Sequence, residues 1–206
     1  MPLTVEEGEY LVRLARRSAE SYLLRRSTAV EPPPFESLKE NGGAFVTILT
    51  YPERGLRGCI GFPRPIMPLY QAVARAAIAA AVEDPRFPPL RLPELADVVF
   101  EVSVLSPLED LSSMDRGELP SSIVVGEHGL VVEYGPYSGL LLPQVAVEYG
   151  WGPEEFLSQT CLKAGLWPDC WRDRRVRVFR YSSEVFAEVR PLGPVERRVL
   201  RPGERG

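Results

Sequence analysis

The chain contains few of the side chains that most often carry metal or acid–base chemistry. Its 206 residues include only three cysteines and one histidine. No two cysteines are spaced as C-x-x-C, which is the usual spacing in structural metal sites. The phosphate-binding patterns G-x-G-x-x-G and G-x-x-x-x-G-K-[ST] are also absent. We therefore predict neither a metal nor a cofactor.

The sequence also lacks the features of an exported or membrane-spanning protein. No apolar run approaches the roughly 20 residues that a membrane span needs. The segment Met1–Tyr10 is acidic and has no apolar signal core. Three widely spaced cysteines do not suggest a disulfide framework. These features together predict a protein of the reducing cytoplasm that makes no membrane contact.

Positive charge is scarce overall and unevenly distributed. The net charge is −4, which argues against strong general binding of nucleic acids. Residues 83–133 contain 11 acidic and 3 basic side chains, whereas residues 172–206 contain 10 basic and 5 acidic ones. The basic stretch is either a solvated surface or a strip that docks an acidic partner. The partner itself, an unknown protein or RNA, is not identified by this pattern.

Lysine and asparagine are unusually rare. Lysine occurs only at positions 39 and 163, asparagine occurs only at position 41, and proline occurs 21 times. Scarce amides and proline-rich loops are typical of thermophile proteins. A GC-rich genome gives the same excess of arginine and proline, so origin in a hot habitat is a hypothesis.

Hydrophobic periodicity in the first half of the chain predicts helices packed on antiparallel strands, which is an α+β fold. Thr4–Glu7 has the pattern of a capping box and starts a helix that ends near Ala29, before three consecutive prolines. The elements predicted to follow are a strand at Ala44–Tyr51, a returning strand at Leu56–Phe62, an alanine-rich helix at Pro65–Asp84 and a strand at Asp97–Leu105.

The second half is predicted to contain two hairpins and one helix. Ile123–Gly126 and Leu130–Tyr134 form a hairpin with Glu127, His128 and Gly129 at its tip. A helix runs from Pro153 to Gly165. The strands Arg175–Tyr181 and Val185–Val189 then form a final hairpin, and a loose tail starts at Pro191.

The hexapeptide Leu56–Gly61, LRGCIG, is the first candidate for chemistry. It places the thiol of Cys59 between Gly58 and Gly61, and glycines allow a ligand or another backbone to approach closely. A guanidinium such as that of Arg57 can lower a thiol pKa. The functional interpretation is a nucleophile with Arg57, Gly58 and Gly61 binding substrate. The structural interpretation is a small buried side chain in a tightly packed or bulged strand.

Two further candidates lie far from this motif in the sequence. Any Cys-His catalysis must use His128, because the chain has no other imidazole. Gln144 lies at a predicted strand-to-helix junction, where its amide orients a substrate or simply begins a helix. We therefore predict Cys59 and His128 as catalytic residues, and Arg57, Gly58, Gly61 and Gln144 as substrate-binding residues.

Several segments together resemble the AMMECR domain family. The matching segments, in order, are LRGCIG at 56–61, DPRFPPL at 84–90, VSVLSP at 102–107, GEHGL at 126–130, LLPQV at 141–145, and FL at 156–157 with CLKAGL at 161–166. The resemblance extends from about Leu11 to Val189.

The resemblance implies a single domain over residues 1–206, built as a two-lobed α+β fold with an interlobe cleft. The family is found in archaea, bacteria and eukaryotes, and with the composition above we expect an archaeal-like, thermophilic member. No reaction is established for the family, and roles in transcription, replication, repair or translation have been proposed. Fusion or pairing with Memo-type and radical-SAM domains suggests those proteins as partners.

Two functions follow from these observations. The first is a regulatory or adaptor role in nucleic-acid or translation-related processes, favoured by the lack of a complete catalytic motif. The alternative is a Cys-dependent enzyme that modifies RNA, protein or a nucleotide-like substrate, with Cys59 as nucleophile and His128 as base.

Overall fold

The computed structural model describes residues 2–198, which divide into two compact units. The first unit comprises residues 2–105 and 184–198, and the second comprises residues 106–183. Helices lie beside antiparallel strands in both, so the predicted α+β class is confirmed. Within residues 2–198, no helix has both the length and the apolar character needed to span a membrane.

The first helix, α1 (Val5–Arg25), begins as the sequence predicts. Thr4 and Glu7 form the capping box, in which each side chain accepts a hydrogen bond from the other residue's backbone N–H. The helix ends earlier than predicted because Arg26 adopts a left-handed conformation with φ of 54°. Its buried residues Leu11, Val12 and Ala15 belong to the core of the first unit.

Three strands and a second helix complete most of the first unit. β1 (Gly43–Thr50) lies between β2 (Leu56–Phe62) and β3 (Val98–Leu105), and both pairings are antiparallel. The helix α2 (Leu69–Val82) packs on β1 and β2, and its alanines are buried. The predicted β1–β2 pairing is therefore present, with a register shift between Ile48 and Leu49.

The strand register shows that one face of this sheet is apolar and that the other contains polar side chains. Val46 pairs with Ile60 and with Val102, and these side chains belong to the hydrophobic core with α1 and α2. The neighbouring residue Thr47 pairs with Cys59 on one side and with Glu101 on the other. Because side chains alternate along a strand, this thiol, hydroxyl and carboxylate share the opposite face.

A buried ion pair holds α1 to the strands of the first unit. The strand β7 (Arg177–Glu188) ends at Glu188, whose carboxylate is fully buried. Arg16 of α1 donates to both carboxylate oxygens, at 2.7 and 2.5 Å, and to the carbonyl oxygens of Leu95 and Val98. The backbone N–H of Phe100 also donates to Glu188. This full set of partners is what a buried charge pair requires.

The second unit contains four strands and two helices. β4 (Glu109–Asp110) and β5 (His128–Tyr134) pair with β7, and β6 (Tyr137–Leu141) pairs with β5. The helices are α3 (Pro143–Tyr149) and α4 (Pro153–Lys163). Phe156, Leu157 and Trp171 are among the residues of its hydrophobic core.

The predicted hairpin with His128 at its tip is wrong. Residues 123–126 form no strand, and the hairpin partner of β5 is β6, joined to it by Gly135 with φ of 56°. His128 is the first residue of β5 and pairs with Ser182 of β7. The glycine that accommodates the turn is therefore Gly135, and not Gly129.

The predicted final hairpin is also wrong. Residues 177–188 form one continuous strand, β7, and contain no glycine or proline that would interrupt it. Its partner is β8 (Val195–Arg198), which lies in the segment predicted as a loose tail. The rest of that tail, residues 199–206, lies outside the described residues.

One disulfide is present, contrary to the expectation from the cysteine count. It joins Cys161 of α4 to Cys170. The chain reverses after α4 through Gly165, whose φ is 77°, and this brings the two Cα atoms to 5.9 Å. Both cysteines are fully buried, and Cys59 is the free thiol.

Candidate functional site

The two glycines of the LRGCIG motif are required by internal packing. A Cβ atom added to Gly58 would lie 2.1 Å from the carbonyl oxygen of Ala80 in α2. A Cβ atom added to Gly61 would lie 2.3 Å from the ring of Phe45. Gly58 is itself buried. Close approach to these glycines was predicted from the sequence. The groups that approach them are the backbone of α2, at Gly58, and the ring of Phe45, at Gly61.

Asp84 and Arg86 bind the backbone of the motif at Cys59. The backbone N–H of Cys59 donates to Asp84 Oδ2 at 2.8 Å, and Arg86 Nη2 donates to the carbonyl oxygen of Cys59 at 3.3 Å. Arg86 also donates to both oxygens of Asp84, at 2.9 and 2.7 Å. The bonds from Arg86 lower the pKa of Asp84 to about 2. This Asp84–Arg86 clamp joins two of the segments that carry the family resemblance.

The thiol of Cys59 is half-buried and hydrogen-bonded. The hydroxyl of Thr47 lies 3.3 Å from Cys59 Sγ and donates to it. Burial raises the pKa of Cys59, and the opposing effects of the Thr47 hydrogen bond and of the Arg86 charge are smaller. The protonated thiol is therefore the form that this environment favours.

Arg57 forms an ion pair with Glu94. Its Nε atom lies 3.1 Å from Glu94 Oε1, and its side chain is mostly buried. The cation whose charge lowers the pKa of Cys59 is Arg86, while the charges of Glu101 and Asp84 raise it.

Cys59, Thr47 and Glu101 form a row of polar side chains that was not predicted from the sequence. Glu101 Oε2 lies 3.0 Å from Arg198 Nη1 and 3.6 Å from Arg54 Nη2. The signal was available in β3, whose sequence VVFEVSVL has Glu101 and Ser103 on one face of an otherwise apolar strand. Both residues are buried, with exposed fractions of 5% and 1%.

His128 lies in the second unit, beside a small polar cavity of about 110 Å³. Its Nδ1 atom accepts the backbone N–H of Val124 at 3.0 Å, so the neutral ring carries its proton on Nε2. Burial and the charge of Arg180 lower the pKa of His128, and Glu127 and Glu109 oppose this. The polar residues that line the cavity are Ser106, Glu109, Glu127, His128, Arg180 and Ser182.

Gln144 is the second residue of α3, at the predicted strand-to-helix junction. Its Oε1 atom is buried and accepts no hydrogen bond from residues 2–198. The first unit thus contains Arg57, Gly58, Cys59 and Gly61, and the second contains His128 and Gln144. Their convergence on one site stays a prediction. In the described part of the chain, no three His, Cys, Asp or Glu residues form a group that could hold a metal ion.

A family model described as AMMECR1 matches residues 12–186. The chain belongs to the AMMECR1 family. This confirms the resemblance inferred from the six sequence segments.

The relatives of this AMMECR1 protein cover nearly its whole length. Protein PF1979 of Pyrococcus furiosus is 54% identical over 96% of this chain and 95% of its own length. Protein MJ0810 of Methanocaldococcus jannaschii is 49% identical over 96% of this chain and 98% of its own length. Both organisms are archaea, which fits the composition.

A solved structure shows the same fold. The crystal structure of the uncharacterised protein PH0010 from Pyrococcus horikoshii is 52% identical to this chain. It covers 95% of this chain and 98% of its own, with a TM-score of 0.90. The relatives therefore support the fold and the family, and their descriptions name no activity.

Replacing Asp84 with Asn should lower the free energy of unfolding by roughly 2 kcal/mol near pH 7. The carboxylate has a lowered pKa in the folded chain, so its stabilisation is present above about pH 4 and is lost as the pH falls toward 2. The difference between wild type and variant should therefore shrink over that range in urea unfolding curves.

Asp173→Asn is the matched control, because Asp173 also binds an arginine two residues later but, among residues 2–198, accepts no hydrogen bond from the backbone of a strand. It should cause a much smaller loss. Equal losses for the two variants would show that the contact with Cys59 contributes nothing.

Proposed function

We propose that this AMMECR1 protein is a non-catalytic regulatory or adaptor protein. The observation that carries the proposal is the environment of Cys59, in which burial raises the pKa of the thiol and outweighs the nearby arginine. A nucleophilic cysteine needs the opposite shift, because the thiolate is the reactive form. The motif residues around the thiol are held by internal contacts with Ala80, Phe45 and Asp84.

The acidic groups that act on the pKa of Cys59 are bound by arginines. These groups are Glu101 and Asp84, whose charges raise the pKa of the thiol. Arg86 donates hydrogen bonds to Asp84 and lowers its pKa to about 2, and Arg198 donates a hydrogen bond to Glu101.

We infer that the partner is a protein. Five arginines at the start of the basic stretch are each paired with an acidic residue, which reduces the field that a nucleic acid would meet. The pairs are Arg172 with Glu154, Arg174 with Asp115, Arg175 with Asp173, Arg177 with Asp110 and Arg180 with Glu109. Memo-type and radical-SAM proteins, suggested by the family resemblance, are the first partners to examine.

The alternative is a Cys-dependent enzyme that acts on RNA, protein or a nucleotide-like substrate. One observation favours it: Cys59, Thr47 and Glu101 form a row of thiol, hydroxyl and carboxylate across three strands. In that case Cys59 is the nucleophile and His128 the base, and the thiol must become reactive when substrate binds.

We propose a cytoplasmic location in a thermophilic host. The disulfide between Cys161 and Cys170 is compatible with this, because intracellular proteins of hyperthermophilic archaea are rich in disulfides. The sequence similarity to proteins of Pyrococcus supports such an origin.

At pH 7, native Cys59 should react with iodoacetamide more slowly than N-acetylcysteine, because a raised pKa reduces the fraction of the reactive thiolate. Thr47→Val should slow the reaction further, since it removes a hydrogen bond that lowers the pKa of the thiol. Mass spectrometry of the labelled peptide measures the rate.

The same protein in denaturant should react at the rate of the free thiol, which controls for the assay. A native Cys59 that reacts faster than N-acetylcysteine would support the enzyme alternative instead.

Short single-stranded RNA should give a weak mobility shift at low salt and none near physiological ionic strength, because arginines that are already ion-paired contact few phosphates and salt screens those contacts. Replacing Arg174, Arg175 and Arg177 with Glu should abolish the weak shift. Replacing the exposed arginines 17, 25 and 91 of the first unit changes the charge equally and should have less effect. A shift that persists at physiological salt would contradict the choice of a protein partner.

A further inference from the structure

Arg54 combines three unfavourable features at one position. It lies in the turn between β1 and β2 with φ of 56°, a left-handed conformation that glycine adopts more easily. Its Nε and Nη2 atoms are buried and donate no hydrogen bond to any of residues 2–198. Burial and the neighbouring charge of Arg198 lower the pKa of its guanidinium. A folded chain retains such a group where its surroundings or its function require it.

The acidic partner of Arg54 does not complete its hydrogen bonding. Glu101 Oε2 is 3.6 Å from Arg54 Nη2, which is an ion pair without a hydrogen bond. The same oxygen accepts a hydrogen bond from Arg198 Nη1 at 3.0 Å. Two guanidinium groups therefore share one carboxylate, so the cluster has one positive charge in excess.

A second unpartnered group lies on the same face of the sheet. Ser103 is two residues from Glu101 on β3, and its side chain therefore points to the same side. Its Oγ atom is buried, has no hydrogen-bond partner in the described chain, and belongs to a residue with an exposed fraction of 1%. Buried polar groups are normally satisfied, so this hydroxyl is a second donor without a partner on that face.

We propose that Arg54, Arg198 and Ser103 bind a small oxyanion, the phosphate or carboxylate group of a small molecule. The planar guanidinium of Arg54 has two buried nitrogens, Nε and Nη2, without hydrogen-bond partners in residues 2–198, and this edge of the guanidinium matches the paired oxygens of such an anion. The anion neutralises the excess positive charge and satisfies both arginine donors. Thr47 and Cys59 continue the polar row from Glu101, and they contact the rest of the ligand. This assignment is independent of whether the protein is an adaptor or an enzyme.

The test is calorimetric titration of the full chain with inorganic phosphate and, separately, with citrate, at constant ionic strength set with chloride. Wild type should bind at least one of the two anions. Tighter binding of phosphate would indicate a phosphate ligand, and tighter binding of citrate would indicate a carboxylate ligand. Arg54→Gly should weaken that binding at least about tenfold, because it removes charged hydrogen bonds. In the absence of ligand the same variant should have a higher melting temperature, since it relieves the left-handed backbone and the unpaired charge.

Arg26→Gly is the matched control, because Arg26 has nearly the same φ of 54° but is exposed at the end of α1. It should leave anion binding unchanged. Ser103→Ala is a second variant that preserves the backbone, and it should weaken binding as well. The proposal is overturned if wild type binds neither anion, or if Arg54→Gly and Ser103→Ala both bind as wild type does.

Discussion

The close contact between the end of α2 and strand β2 is the constraint on which the LRGCIG motif depends. The carbonyl oxygen of Ala80 occupies the space that a side chain at position 58 would need. Four residues later, Asp84 accepts the backbone N–H of Cys59, and Arg86 donates to the carbonyl of the same residue. Glycine at position 58 and the Asp84–Arg86 clamp thus act together to fix β2 against α2.

This constraint also determines the chemistry of Cys59. The thiol lies on the polar face of the sheet beside Thr47, in surroundings whose burial raises the thiol pKa. Arg86, the cation near enough to lower that pKa, is bound to Asp84 by two hydrogen bonds. The motif that looks most reactive in the sequence is therefore held by internal contacts, and Arg54 and Ser103 contain buried polar atoms that have no hydrogen-bond partner among residues 2–198.

The sequence correctly predicted those parts of the fold that depend on residues close together in the chain. The capping box of α1, the β1–β2 pairing and the junction at Gln144 are examples. The place of His128 could not be predicted, because pairing with Ser182 joins strands far apart in the sequence. The Cys161–Cys170 disulfide depends on the reversal of the chain at Gly165, which a count of cysteines does not show. Glu101 and Ser103 interrupt an apolar strand, and that signal was present but unused.

The central claim is that Cys59 is a protonated, framework thiol. The most direct measurement is the pKa of Cys59 itself, from the pH dependence of its Cβ chemical shift by NMR in protein labelled with ¹³C at cysteine. The account predicts a pKa above that of an unperturbed cysteine, which is about 8.5. A pKa below about 7 would contradict it, because the thiolate would then be the resting form and Cys59 would have the character of a nucleophile.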